Sequence, residues 1–278
     1  MRKLDFHNKK TNFYECKVFT ERHDLLHSEF LNQAFEQKVL DEKNKKLLLR
    51  FINFLENKKN IFSQLYQDMF AEFIIDNNFD KTFLEFGATD GLEYSNSYTL
   101  EKYFGWKGVL SEPDPQWHNA LKDNRPNTKI IFDCIWTNSN KKLNFLSSDV
   151  GVYSTIDTFK FNEKDSMPGN TNSRNKSFKN ITVNTISLND LISIQFNDVA
   201  PSYISVDTEG SEYEILCNLD FKKYKPKIFT IEHNYTNYEQ KIDNLMSLNG
   251  FIRVFKNLTF FDAWYVSEEI MDKFAYKS

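Results

Sequence analysis

The chain has 278 residues, enough for one large α/β domain with an extension or for two small domains. Apolar residues make up 40% and aromatic residues 16%, so a sizeable ring-rich core can form, while a net charge of −4 excludes a strongly basic surface and argues against nucleic acid as the main partner. Cys16, Cys134 and Cys217 are too scattered for a disulfide framework or a cysteine metal site, and a reducing, cytoplasmic setting is the expectation.

Residues 1–61 are charged, with apolar residues at helical spacing, and read as a helical N-terminal extension. Leu25, Leu26, Phe30, Leu31 and Phe35 form one stripe. Leu47, Leu48, Leu49, Phe51, Ile52 and Leu55 form another. Such helices can cap the domain, pack on it as a layer, or pair two copies into a homodimer. His23 and His27 stand four apart, a spacing that suits metal ligation on a helix face, but no H-E-x-x-H pattern accompanies them. The N-terminus is polar and lacks a signal-peptide core, and no run approaches the ~18 apolar residues of a membrane span.

Residues 62–278 then alternate strand and helix. Ser63 is the expected N-cap of a helix that Asn77 and Asn78 end. Strands are expected at 82–86, 107–111, 128–133, 203–207 and 227–232, with 143–147 as a further candidate. Helices are expected at 96–104, 114–124, 210–218 and 238–249. Two last strands, 251–256 and 259–266, are joined through Lys256–Leu258 as an antiparallel hairpin at one sheet edge. This rhythm predicts a mainly parallel, doubly wound sheet. Residues 148–180, polar and carrying Pro168 and Gly169, break it and read as a lid or acceptor-binding loop.

The stretch Thr82–Gly91 organises the rest. It is a short apolar strand ending in an acid and opening into a glycine turn. The chain has only 8 glycines, and Gly87 and Gly91 are spent here. Glycine permits positive φ and close approach of a ligand to the backbone. In an open α/β sheet ligands sit beyond the carboxyl ends of the strands. Those ends carry Glu85, Glu112, Asp133, Asp207 with Glu209, and Glu232 with His233, more acid than packing can explain. Glu112 can accept both hydroxyls of an adenosine ribose; its alternative is to cap the following helix. Pro113 and Pro115 stiffen the backbone behind it. Asp133 can bond an adenine amino group, with Cys134 and Ile135 beside the ring. His118 reads as a surface or packing residue rather than a ligand.

The turn lacks the G-x-G-x-x-G and G-x-x-x-x-G-K-[ST] patterns. Its E-x-G-x-x-x-G is the first motif of methyltransferases that use S-adenosylmethionine. With Ser63–Asp68, Ser95–Ser97, Gly105–Gly108, Ser111–Pro115 and Ser205–Leu216 in this order, residues 62–267 resemble the FkbM-type family of such methyltransferases. The resemblance implies a Rossmann-like class I methyltransferase fold: a mainly parallel seven-stranded sheet with an antiparallel C-terminal hairpin. It implies methyl transfer to oxygen on sugars, surface glycans or polyketide-type products. It places Glu85, Gly87 and Gly91 around the cofactor, Glu112 on its ribose, and Ser95 and Asn96 near cofactor or acceptor; Ala88, Asp90, Pro113 and Asp207 are expected at the cofactor as well.

A sugar hydroxyl gains from a base that takes its proton. His233, with the unperturbed pKa best suited to neutral pH, or Asp207 is the expected base, and Glu209 orients it or the acceptor. Asp207, Glu232 and His233 also offer ligands for a divalent metal, the less favoured reading. Two rivals stand beside a saccharide O-methyltransferase: the same fold acting on a small metabolite or protein side chain, and a catalytically silent binding module.

Overall fold

The computed structural model describes residues 28–34, 36, 42–56, 58, 60–75, 79–148, 152–159 and 178–276. In chain order the first elements are α1 (Glu42–Leu55), α2 (Gln67–Ile74), β1 (Thr82–Phe86), α3 (Tyr98–Phe104), β2 (Lys107–Ser111), α4 (His118–Asn124) and β3 (Lys129–Ile131). Then come β4 (Cys134–Trp136), β5 (Lys142–Ser148), β6 (Thr155–Ile156), β7 (Phe178–Ser187) and α5 (Leu188–Phe196). The chain continues with β8 (Tyr203–Val206), α6 (Glu212–Leu216), β9 (Ile228–Glu232), α7 (Tyr238–Leu248), β10 (Phe251–Val254), β11 (Asp262–Ser267) and α8 (Glu268–Tyr276).

Seven strands pair in the order β10-β11-β9-β8-β1-β2-β3. Every neighbouring pair is parallel except β9 with β11 and β11 with β10. The expected mainly parallel seven-stranded sheet with its antiparallel C-terminal pair is therefore present. Its central strands are buried on both faces, which is why Phe83–Phe86 and Tyr203–Val206 read as apolar runs. Alternation sends Leu84 and Phe86 into one core, with Ile204, Val206, Phe229 and Ile231. Phe83 and Tyr203 enter the other, with Trp264 and the N-terminal helices.

That second core joins residues on both sides of position 61. Trp264 stacks on Phe70 at 4.7 Å and on Phe30 at 6.0 Å, and meets Phe51 edge-on at 6.2 Å. Residues 28–34 and α1 thus form a layer on the sheet, and Leu47, Leu48 and Phe51 of the second stripe enter the core with Phe30. Leu49, assigned to that stripe, is 58% exposed. His7, His23, His27 and Cys16 lie outside the described residues.

Several expectations are corrected. The helix expected from Ser63 begins at Gln67, after Tyr66 in a left-handed conformation (φ 70). Ser63 instead bridges to Tyr94 and donates from Oγ to Asp68 Oδ1 at 2.6 Å. Asn77 and Asn78 lie outside the described residues, and α2 stops at Ile74. The antiparallel hairpin does close one edge of the sheet as expected, with β10 outermost and β11 between β9 and β10.

The stretch 148–180 is bounded by two long paired strands. Strands β4, β7, β5 and β6 form a second, four-stranded sheet inserted before β8. Neither β7 beyond residue 180 nor α5 was expected. Strand β7 buries Val183 and Thr185 and exposes Thr182 and Asn184; more than half its residues are polar, so its strand signal is weak. Helix α5 starts at a cap, with Ser187 Oγ accepting from the Asp190 N–H at 3.1 Å.

Candidate active site

The sheet register stacks the polar strand ends into levels. Glu85 on β1 faces Ser205 on β8, and Ser205 faces Thr230 on β9. One level further on, Glu232 ends β9 and pairs with Asp262 of β11. Asp207 follows β8 and extends the ladder, its N–H donating to Phe86 O at 3.2 Å. The boundary between β1 and β8 is where the strand order reverses, the place where open α/β sheets take ligands.

The glycines serve this packing first. A Cβ on Gly87 (φ +81) would lie 1.7 Å from the Asp207 carbonyl oxygen. A Cβ on Gly91 (φ +73) would lie 2.4 Å from Leu121 Cδ1 and 2.8 Å from Arg125 Cγ. The close approach that glycine permits is thus made by the chain itself at both positions. Ala88 is buried, its N–H bonding Ser111 O at 3.3 Å, and Asp90 Oδ1 accepts the N–H groups of Leu92 and Glu93 at 2.9 Å each. Burial pushes the Asp90 carboxyl above its ordinary range.

Glu85 is enclosed. Its Oε1 accepts from the Asn96 N–H at 2.7 Å; its Oε2 accepts from Ser95 Oγ at 3.0 Å and from Ser97 Oγ. Arg125, 1% exposed, approaches Oε2 at 4.0 Å. Burial still raises the Glu85 pKa and outweighs the guanidinium. The carboxylate expected to face the cofactor is therefore taken up by the segment 95–97. Asn96 reaches across to β8, its Nδ2 donating to Ser205 Oγ at 2.9 Å.

Glu112 differs. It is buried against the glycine turn, where Oε2 accepts from the Thr89 N–H at 2.9 Å and Oε1 from the Asp114 N–H at 2.8 Å. Each oxygen keeps a lone pair for a further donor. Burial pushes its pKa up to about 7. His118 packs behind it, with Nε2 3.0 Å from Glu112 O and its ring 3.9 Å from that of Phe132. Asp133 is half-buried, and its carbonyl accepts from Ser111 Oγ at 3.0 Å. Cys134 is buried, and its thiol is pushed up to about 12 by burial and the nearby Glu112 and Asp133 charges.

The inserted sheet crosses both ends. Ser154 Oγ donates to Asp114 Oδ2 at 2.8 Å, and Thr155 Oγ1 donates to Glu209 O at 3.0 Å.

At the β8 and β9 ends, carboxylate oxygens of Asp207, Glu209 and Glu232 lie within 4.8 Å of one another. Burial raises the pKa of Asp207 well above its ordinary value, and the charges of Glu209 and Glu212 add to the effect. Burial and then Asp207 do the same for Glu232. Three like charges this close do not all ionise, so the group holds a proton or a cation. Glu212 is occupied elsewhere: its Oε1 accepts from the Thr208 and Gly210 N–H groups at 2.8 and 3.0 Å. Asp262 lies beside the cluster; its Oδ2 accepts from Gln67 Nε2 at 2.9 Å and Trp264 Nε1 at 3.1 Å, and burial pushes its pKa up to about 7.

His233 does not join this group. Its Nδ1 accepts from the Tyr235 N–H at 3.1 Å, and Nε2 lies 3.3 Å from Arg253 Nη2. Burial lowers its pKa to about 4. The premise for a histidine base, an unperturbed pKa, is therefore removed. The ring instead holds a turn in which Asn234 (φ 46) and Tyr235 (φ 56) are both left-handed. Asn234 Nδ2 reaches Glu209 Oε2 at 3.5 Å. A cavity of ≈ 340 Å³ beside Tyr98, Glu101 and Arg125 includes none of the strand-end acids.

The profile of the Methyltransferase FkbM domain matches residues 85–264, which span the glycine turn, both acid-bearing ends and the inserted sheet. The chain belongs to the FkbM methyltransferase family. Solved structures similar to it include an O-methyltransferase from Bacillus cereus in complex with SAH, at 9% identity over 88% of this chain and 100% of that one, TM-score 0.41. A TehB-like SAM-dependent methyltransferase from Corynebacterium glutamicum matches at 8% identity over 81% and 97%, TM-score 0.39. A precorrin-6y C5,15-methyltransferase from Geobacter metallireducens matches at 11% identity over 70% and 75%, TM-score 0.37. No curated protein matches the chain. Among the described residues no helix is long and apolar enough to cross a membrane.

In this FkbM methyltransferase the structure brings Asp207, Glu209 and Glu232 together, sets Glu112 against the glycine turn and leaves His233 apart. Arg125 was not singled out in the sequence, and Asp114 only as part of Ser111–Pro115. Arg125 sits at the end of a short helix before Pro126, where nothing local announces burial. Asp114 stood in the quoted Glu-Pro-Asp-Pro motif, but its partners Ser147 and Ser154 are 33 and 40 residues away.

Proposed function

We propose that this methyltransferase uses S-adenosylmethionine and methylates a hydroxyl of a saccharide or glycoconjugate. The observation that carries this reading is the carboxylate cluster at the β8 and β9 ends, one ladder position from the glycine turn at the β1–β8 boundary. The cofactor supplies a methyl group already activated on a sulfonium, so the protein's work is positioning and proton removal. The residues fit such a group. Glu112 keeps two acceptor positions for a ribose diol. Pro113 holds the chain behind it, Ala88, Asp90 and Gly91 shape the turn, and Asp133 with Cys134 flanks the side where an adenine ring belongs.

Asp207 accepts the hydroxyl proton, and Glu232, its hydrogen-bonded neighbour, shares it. Glu209, steadied by Asn234 Nδ2, orients the acceptor. His233 acts at one remove, by fixing the turn that carries Asn234. A divalent cation bound by Asp207, Glu209 and Glu232 is the second reading, favoured by their spacing alone. Oxygen is preferred to nitrogen as acceptor because Asp207-Thr208-Glu209-Gly210 stands where amine methyltransferases carry an Asn/Asp-Pro-Pro-Tyr motif.

Calorimetric titration with S-adenosylhomocysteine, followed by methyl transfer to a saccharide panel in the presence and absence of a chelator, tests this. Micromolar binding and chelator-insensitive transfer to a sugar hydroxyl are expected. No binding would favour the silent module. Transfer only to small metabolites or protein side chains would overturn the acceptor class, and chelator-sensitive transfer would favour the cation.

A further inference from the structure

The turn that follows β9 is costly to build. Asn234 (φ 46) and Tyr235 (φ 56) are successive left-handed residues, and neither is glycine. For a bulky residue this backbone is a genuine outlier, and such strain persists only where the surroundings enforce it. Here they do. Phe261 O accepts the N–H groups of His233 at 2.8 Å and Asn234 at 3.1 Å. His233 O accepts the Thr236 N–H at 2.8 Å, and His233 Nδ1 accepts the Tyr235 N–H at 3.1 Å.

The turn sets an aromatic ring beside the acid cluster. Tyr235 is 42% exposed. Its ring meets the buried His233 ring edge-on at 5.6 Å, so it is backed on one side and open to solvent. It stands three positions beyond Glu232, and the intervening Asn234 reaches Glu209 through Nδ2. The turn is thus tied to two of the three clustered acids. Tyr103, also exposed, makes the contrast: it lies within the regular helix α3, and no strained backbone holds it there.

Ring and acids together match one kind of ligand. A pyranose carries hydroxyl groups around its rim and C–H bonds on its face. Clustered carboxylates accept from neighbouring hydroxyls. A tyrosine ring offers the C–H face a flat apolar surface that loses little entropy on binding. A phenol would suit the ring but brings too few hydroxyls for three acids.

We infer that Tyr235 is a specificity-determining residue for the acceptor: its ring packs on the C–H face of a pyranose whose hydroxyls meet Asp207, Glu209 and Glu232. This rests on the proposed saccharide acceptor. His233 is the positioning residue for the ring, through the Tyr235 N–H and the edge-on contact.

The test is steady-state methyl transfer from S-adenosylmethionine to a panel of methyl pyranosides, with catechol as the flat contrast. Tyr235→Gly removes the ring and suits the left-handed backbone, so the melting temperature should stay within about 3 °C of wild type. Its KM for the best pyranoside should rise about threefold to tenfold, the usual worth of one ring contact. The effect should fall on KM rather than kcat, and calorimetry should show S-adenosylhomocysteine affinity unchanged. Tyr235→Leu should raise KM in the same way. Tyr235→Phe and Tyr235→Trp should keep KM near wild type, because the ring and not its hydroxyl does the packing. If the wild type methylates a pyranoside while the Gly and Leu variants hold KM within about twofold, or if the Phe variant loses as much as Leu, this inference falls and the saccharide reading stands. If the wild type methylates no pyranoside, or only catechol, both fall.

Discussion

The two ends of the β1–β8 boundary solve the problem of buried acid in opposite ways. On the β1 side every Glu85 oxygen has donors, and a guanidinium stands close by. On the β8–β9 side three carboxylates converge within 4.8 Å and include no basic residue. The first arrangement fixes geometry, since each added donor removes a degree of freedom. The second stores proton affinity: burial and mutual repulsion raise Asp207 and Glu232 far above the usual carboxylate range. One end of the boundary is thus suited to holding a ligand and the other to taking a proton.

The largest expected effect falls on the second end. Asp207→Asn should lower kcat by about 10²–10⁴-fold, the ordinary worth of a general base, and leave S-adenosylhomocysteine affinity unchanged. Because the pair titrates high, wild-type kcat should rise with pH as its last proton leaves, and Glu232→Gln should shift that profile. Full turnover in the Asp207→Asn variant would break the contrast between the two ends. Next in size is Arg125→Met, which leaves the buried Glu85 and the half-buried Glu101 without their cation. It should cost about 3–5 kcal/mol in urea unfolding. A loss below about 1 kcal/mol would mean that the β1 end does not depend on its guanidinium.

Much of this architecture was legible because parallel strands buried on both faces leave unbroken apolar runs. Phe83–Phe86 and Tyr203–Val206 announced themselves, and the acids that follow them could be counted in order. Strand β7 did not announce itself, because a sheet with one solvated face alternates Val183 with Asn184 and looks like a polar loop. The interior position of β11 was also hidden, since strand order is set by packing at long range. His233 shows a different limit. Its suitability as a base was judged from the free side chain, and the burial that lowers its pKa is not visible in the residue type alone. Arg125 is harder still, with its side-chain partners 24 to 34 residues away.

A smaller effect separates the two ends by pH. Glu112 and Asp262 are both held near pH 7 by burial, above the ordinary 4.5 and 3.8. In each case the folded protein binds the proton more tightly than the unfolded chain. Their contribution is therefore fully present below the unfolded pKa and is lost as pH rises through about 7. Each group can contribute at most about 1.4 kcal/mol per pH unit across that window. Denaturation curves between pH 5 and 8 should show the slope, and Glu112→Gln and Asp262→Asn should each flatten it. Saturating S-adenosylhomocysteine should remove only the Glu112 part, because hydroxyl donors stabilise that carboxylate. Equal action on both parts would place the ligand elsewhere.

The smallest effect concerns the strap that joins the ends. Ser154 touches the β2 end through Asp114, and Thr155 touches the β8 end through Glu209. Thr155→Val keeps the shape and removes one buried hydrogen bond, worth about 1 kcal/mol. If the inserted sheet aligns the acceptor through Glu209, this variant should raise the acceptor KM severalfold and leave S-adenosylhomocysteine affinity alone. Ser154→Ala should do the reverse, because Asp114 lies beside Glu112 and donates its N–H to that carboxylate. Steady-state kinetics on both variants, with cofactor and acceptor varied in turn, separates the outcomes. Were both substitutions to move the same constant, the strap would be a single brace for the whole crevice, and cofactor and acceptor would not divide between its two ends.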